Sequence, residues 1–284
     1  MNDEKLMKKI SFLVNRQLIK LFYNKLMQII QFVYNLLFPP ECLNCNKLGA
    51  YLCPACSKLL KPSHPECYIC RRISPNYATH QKCLETNRYA IEQITFLWKY
   101  DALAAKLIAT YKYKSAFALS TLLNSLISER AISLKLQIDP NVLLIPIPLH
   151  KNRYYSRGFN QSEKLSQIIS THYNLSINSD LLMRGVDTAH QAHLSKEQRE
   201  LNLQKAFYIN RDWIPLTPHL HFILVDDVVT TGNTLNKAAI VLRKAFPASK
   251  IEAFALFRAD FHTKRQGKDE KVPDLKSKAK INKP

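Results

Sequence analysis

Apolar and polar positions change their rhythm several times along the 284 residues. Over 5–37, Leu6, Ile10, Leu13, Phe22, Leu26, Ile29, Ile30, Val33 and Leu37 recur near a helical period, and Pro39 and Pro40 end the run, which predicts one long amphipathic helix. Residues 39–88 hold too few apolar positions to build a core of their own. From Ile91 short apolar runs alternate with longer amphipathic ones. Strands are predicted at 91–100 and 142–147, helices at 103–113 and 117–136, and a further helix that ends at Tyr173. Phe222, Ile223, Leu224 and Val225 form a run with no polar alternation, which suits a strand covered on both faces of a parallel sheet. A helix over 235–246 carries Leu235, Ala238, Ala239, Val241 and Leu242 on one period, and 251–257 reads as the last strand. Past Ala259 apolar residues almost vanish. The pattern divides the chain into a helix at 1–38, a small module at 39–88, an α/β domain at 89–260 with a parallel sheet flanked by helices, and a tail at 261–284 that can form no core.

The junction at 222–235 carries the most chemistry. Asp226 and Asp227 stand at the strand end, Val228 and Val229 follow, and then Thr230, Thr231, Gly232, Asn233 and Thr234 lead into the helix. Amides in the first turn of a helix have no partner within it, and the helix dipole adds positive potential there, so a phosphate fits. The threonines can add hydroxyl donors, and Gly232 can take a positive φ. Two adjacent carboxylates would repel such a ligand unless they met hydroxyl donors or a divalent metal, and a ribose phosphate carrying Mg²⁺ offers both.

The string FILVDDVVTTGNTL resembles the binding motif for phosphoribosyl pyrophosphate (PRPP) in type I phosphoribosyltransferases. The resemblance implies that Asp226 and Asp227 contact the ribose hydroxyls and act at the catalytic centre, and that Val228 to Thr234 wraps the 5′-phosphate. It also implies Mg²⁺ bound with PRPP.

All seven cysteines fall between Cys42 and Cys83. Cys42 and Cys45, Cys53 and Cys56, Cys67 and Cys70, and His80 and Cys83 are pairs with a two-residue spacer, the spacing with which a turn points two ligands at one Zn²⁺. In sequence order they give a four-cysteine site followed by a three-cysteine, one-histidine site; interleaved pairing is equally compatible with the spacing, and His64 is the nearest rival ligand. A catalytic zinc keeps an open position, whereas these are full sets of four, so the metals are expected to be structural. With little core between the ligands, metal binding, worth roughly 10–16 kcal/mol in isolated fingers, would have to fold the segment.

Lys151 and Arg153 follow the 142–147 strand directly, at the strand end where open parallel sheets bind ligands, and are candidates to neutralise a pyrophosphate. The cysteine pairs, then IPIPLHKNRYYSRGFNQ, then the acid and threonine string, together resemble the ComF family, phosphoribosyltransferase-like proteins with a double zinc ribbon linked to natural transformation. Arg184, Thr188, Gln191, Leu194, Arg199, Asn202 and Phe207 match that family's spaced residues, and His80 stands where the family leads one to expect a cysteine. The resemblance further implies a mobile lid over 183–202 and partners in the DNA-uptake machinery.

Charge widens the choice of partner rather than narrowing it. With 41 basic and 22 acidic side chains the formal balance is +19, which favours phosphorylated metabolites or nucleic acid. Much of the excess lies at the two ends of the chain, where the basic tail would add salt-sensitive affinity for single-stranded DNA. Lys20 and Lys25 interrupt the N-terminal apolar pattern, and no apolar run reaches the roughly 20 residues of a membrane span. A cytoplasmic location is expected, and the N-terminal helix either packs on protein or lies on the inner-membrane surface. Two functions remain: phosphoribosyl transfer from PRPP, or a non-catalytic module that binds single-stranded DNA or uptake proteins with PRPP as a regulatory ligand.

Overall fold

A computed structural model of the chain describes residues 39–85, 89–113, 116–134, 139, 141–185, 206–214 and 221–260. The expected N-terminal helix, the 186–202 part of the lid segment and the basic tail lie outside the described residues. Contacts divide the chain into two compact units, Met1–Leu59 and Leu60–Pro284. In the first, a Glu41 to Leu48 bridge and the short helix α1 (Pro54–Ser57) surround the buried side chains of Cys42, Leu52 and Cys56.

The second unit holds a five-stranded parallel sheet built from β1 (Gln93–Lys99), β2 (Val142–Pro146), β3 (Ser176–Ile177), β6 (His221–Val229) and β7 (Lys250–Arg258), in the order β1-β7-β6-β2-β3. A separate antiparallel pair joins β4 (Leu182–Arg184) to β5 (Phe207–Ile209). The helices are α2 (Gln81–Leu84), α3 (Ala102–Tyr113), α4 (Ala116–Leu134), α5 (Lys151–Arg157), α6 (Gln161–Tyr173) and α7 (Asn233–Ala245). Phe222, Leu224 and Val225 are fully buried in the central strand, which is why it tolerates no polar alternation.

α6 leads from β2 outward to β3, and α7 leads from β6 the other way to β7. Right-handed crossovers moving in opposite directions put the two helices on opposite faces. The gap between the C-terminal ends of β2 and β6 is therefore a topological switch point, where ligands of open α/β sheets bind. It falls at Pro146 and Val225, which pair in the ladder, immediately before the two acids.

Two local readings shift. β6 does not stop before the acids: Asp226 pairs with Ala255, Val228 with Phe257 and Val229 with Arg258, because β7 runs long enough to supply partners. The stretch carrying Lys151 and Arg153, for which no helix is predicted from the apolar pattern, forms α5, entered through the His150 side chain accepting the Asn152 N–H and closed by Gly158 at φ 76. The helix expected over 117–136 is present as Ala116–Leu134, and 135–136 lie outside the described residues.

Candidate functional site

The two acids meet different elements. Asp226 Oδ1 accepts from Ser162 Oγ at 3.2 Å, on the first turn of α6, and from the Asp227 N–H at 2.9 Å. Burial and then the adjacent Asp227 charge push the Asp226 carboxyl up to about 7, against the pull of the Asp227 amide, Ser162 and Lys112. Asp227 is 8% exposed, and its Oδ2 lies 2.6 Å from Lys112 Nζ at the end of α3. That contact is ionic without hydrogen-bond alignment, so Asp227 Oδ2 keeps no aligned donor.

Beyond the acids the loop proper is short. Val228 and Val229 belong to β6, Thr230 and Thr231 are half-buried, Gly232 is buried, and Asn233 and Thr234 are exposed. Gly232 adopts φ 77 as the residue before α7, a left-handed conformation that favours glycine. Thr231 Oγ1 accepts the Asn233 N–H at 3.3 Å, so one first-turn amide is already engaged by the loop.

Lys151 opens α5 and Arg153 is exposed on its first turn. The backbone ties this region to the acids: the Ile147 N–H donates to Val225 O at 2.9 Å, and Asn160 Nδ2 donates to Ile147 O at 3.0 Å while its carbonyl caps α6. Met183 and Arg184 of the expected lid lie in β4, and the Arg184 guanidinium stands 5.6 Å from the Phe207 ring centre.

Both ligand sets assemble in sequence order. Cys42, Cys45, Cys53 and Cys56 converge, as do Cys67, Cys70, His80 and Cys83, each set with ligand atoms within 4.8 Å of one another. Cys45 Sγ and Cys53 Sγ are 3.8 Å apart, close to the edge of about 3.8 Å that a tetrahedron with 2.3 Å Zn–S bonds requires. Cys70 Sγ lies 3.2 Å from His80 Nδ1, so the histidine joins the second set and His64 does not. Burial opposes ionisation of Cys42, but the amides of Cys45, Cys53 and Asn44 outweigh it and bring the thiol down to about 6. Cys67 is lowered in the same way, with the amides of Cys70, His80 and Ile69 overcoming its burial. Thiolates presented by turns in sets of four fit a closed tetrahedral metal such as Zn²⁺.

Sequence reading missed the second layer of the loop. Arg258, 4% exposed, donates from Nη1 to Thr230 O at 2.8 Å and from Nη2 to Tyr68 O at 2.7 Å, while its Nε meets Glu66 at 2.9 Å. Arg71 Nη2 donates to the same Thr230 carbonyl at 3.2 Å. A Cβ on Gly232 would stand 2.9 Å from the Tyr68 ring. A cavity of about 670 Å³ lies elsewhere, between α2, Tyr89 to Glu92 and the C-terminal half of α7; Arg243 on its wall is tied to Glu92 and to the Ser249 and Ala90 carbonyls. None of its lining residues belongs to the acid and threonine loop, so volume does not decide the site.

A parallel sheet with paired acids and a threonine turn at its switch point, accompanied by two convergent sets of four metal-ligand residues, defines a type I phosphoribosyltransferase-like α/β protein with zinc-ribbon-like sites. The chain is 32% identical over 215 residues to Competence protein F of Haemophilus influenzae, a match spanning 73% of this chain and 90% of that one. It is 29% identical over 224 residues to DNA utilization protein YhgH of Escherichia coli strain K12, and 26% identical over 218 residues to Competence protein ComFC of Bacillus subtilis. Those matches cover 76% and 73% of this chain, and 88% and 84% of the relatives. The chain belongs to the ComF family. No family model matches it. Among the described residues no helix is long and apolar enough to cross a membrane.

Proposed function

We propose that the chain binds PRPP with Mg²⁺ at the C-terminal end of β6 and supports DNA uptake in natural transformation, a reading in line with the competence and DNA utilization that its relatives' names carry. The reading rests on one juxtaposition: two acids, one in contact with α6 and the other with α3, next to a left-handed glycine that opens the 13-residue helix α7. In this reading the amides entering α7 and the exposed Thr234 hold the 5′-phosphate. Asp226, with Ser162 and the Asp227 amide on one oxygen, offers the other to a ribose hydroxyl. Asp227 exchanges Lys112 for a second hydroxyl, and the released ammonium stays near the developing charge. Lys151 and Arg153 flank the pyrophosphate. These hard oxygen donors fit Mg²⁺, which would neutralise charge on the leaving pyrophosphate, with Asp226 and Asp227 as the residues to hold it. The two cysteine sets hold structural Zn²⁺.

Calorimetry tests the site. Mg²⁺-dependent, saturable PRPP binding is expected for the native chain and is lost in the Asp226→Asn, Asp227→Asn double variant; equal affinity in both removes the reading.

A second function is favoured by α5, where Tyr155 is 82% and Tyr154 48% exposed beside Arg153, an arrangement suited to stacking the bases of single-stranded DNA. In that case PRPP is a regulatory ligand and not a substrate. Pyrophosphate release in the presence of cell extract supports transfer, whereas saturable binding without release supports the binding module.

A further inference from the structure

We propose that the second metal-ligand knuckle, Cys67 to Arg71, is a brace for the phosphate loop, so that metal held by Cys67, Cys70, His80 and Cys83 sets the loop's conformation. This deepens the PRPP reading and rests on it for the identity of the anion. The knuckle is a closed turn: the Arg71 N–H donates to Cys67 O at 2.9 Å and the Cys67 N–H donates to Arg72 O at 2.9 Å. Arg71 sits at φ 64, a left-handed conformation that a non-glycine residue holds only where its surroundings fix it.

Two side chains of this turn reach the loop. Tyr68, between two ligands and 2% exposed, lies against Gly232 so closely that no Cβ would fit. Arg71 spans from Asp260, 2.9 Å from its Nη1, to the carbonyls of Ala259 and Thr230, which its Nη2 reaches at 3.1 and 3.2 Å. Arg258 closes the circuit, since it holds both the Thr230 carbonyl and the Tyr68 carbonyl of the knuckle.

The consequence for an anion follows from peptide geometry. All peptide bonds of the described residues are trans. A planar trans peptide sends its N–H opposite to its C=O, so holding the Thr230 carbonyl against two guanidinium groups turns the Thr231 N–H to the other side of the loop. Loss of the metal frees the turn and withdraws Tyr68 and Arg71 together, which leaves Arg258 on the Thr230 carbonyl and loosens that peptide. Tyr68 and Arg71 are positioning residues, and the metal acts on the anion site only through them.

The test uses the full chain with its metals. Arg71→Gly keeps the left-handed backbone but deletes the guanidinium, Arg71→Lys restores a cation, Cys70→Ser weakens the second ligand set, and Cys45→Ser weakens the first. Metal content per chain, hydrogen exchange at 229–234 and PRPP affinity are measured on each. Arg71→Gly is expected to keep its metal, to exchange faster at 229–234 with β2 unchanged, and to bind PRPP about tenfold more weakly, the equivalent of one charge-assisted bond. Arg71→Lys recovers part of both effects, Cys70→Ser reproduces the fast exchange, and Cys45→Ser leaves the loop alone. Unchanged exchange at 229–234 in Arg71→Gly overturns the brace, even if Cys70→Ser fails to fold. Failure of the native chain to bind PRPP overturns the functional reading instead, and the exchange data still decide the brace.

Discussion

Replacing Arg258 by Met should cost more than any exposed arginine does. The side chain is 4% exposed and holds Glu66, the Thr230 carbonyl and the Tyr68 carbonyl, with its guanidinium 4.9 Å from the Phe96 ring centre. Removing one partner of a buried ion pair costs about 3–5 kcal/mol, and the lower end applies because the Glu66 side chain is 22% exposed and water can reach it. The Thr230 carbonyl keeps Arg71 as a donor, whereas the Tyr68 carbonyl loses its charged partner at about 1–3 kcal/mol. Met retains contact with the aromatic ring. The terms overlap, so the expected loss is about 4 kcal/mol. Urea unfolding with Zn²⁺ present can be followed by tryptophan fluorescence, because Trp98 is 5% exposed and packs 5.8 Å from Phe257, whereas Trp213 is 52% exposed and changes little. At an m of about 2.5 kcal/mol/M the midpoint should fall by about 1.6 M. A fall below about 0.4 M with m unchanged would refute the role given to Arg258.

Three further outcomes follow from the site. Lys112→Met frees Asp227 of its ammonium, so Mn²⁺ measured by electron paramagnetic resonance should bind several-fold more tightly without sugar phosphate; unchanged affinity means that Lys112 does not compete for the acid. Asp226, raised to about 7, holds its proton more tightly folded than unfolded, so its contribution to stability is complete below about pH 4 and is lost as pH rises through about 7. Mg²⁺ and PRPP must expel that proton, so calorimetry in buffers of different ionisation enthalpy should detect proton release at pH 6 and none at pH 8.5. Gly232→Ala forces a Cβ at φ 77 against the Tyr68 ring, costing about 1–2 kcal/mol for the backbone alone. Chemical denaturation should register at least that loss, and adding Tyr68→Ala should recover the steric part but not the backbone part.

What could be read from the chain depended on how local its signal was. The Phe222 to Val225 run and the two-residue cysteine spacers lie within single elements, and both took the form expected of them. Which ligand pairs converge depends on the path between them, and the fold brings them together in sequence order. α5 was missed because Pro146, Pro148 and Gly158 look like turn signals, although His150 and Gly158 serve as its caps. The strands β3, β4 and β5 have two or three residues each, too few to display a period. The residues around the acids and the loop were out of reach for another reason. Ser162 is 64 positions from Asp226, Arg71 is 159 from Thr230 and Arg258 is 190 from Tyr68, and no window along the chain spans such separations.

Hydrogen exchange of the full chain with and without PRPP and Mg²⁺ locates the ligand most directly. Slowed exchange confined to 226–234 and the start of α5 is the predicted result. Protection instead around Tyr89 to Glu92 and Arg243, where the 670 Å³ cavity lies, or no protection anywhere, would contradict a sugar phosphate seated at the end of β6.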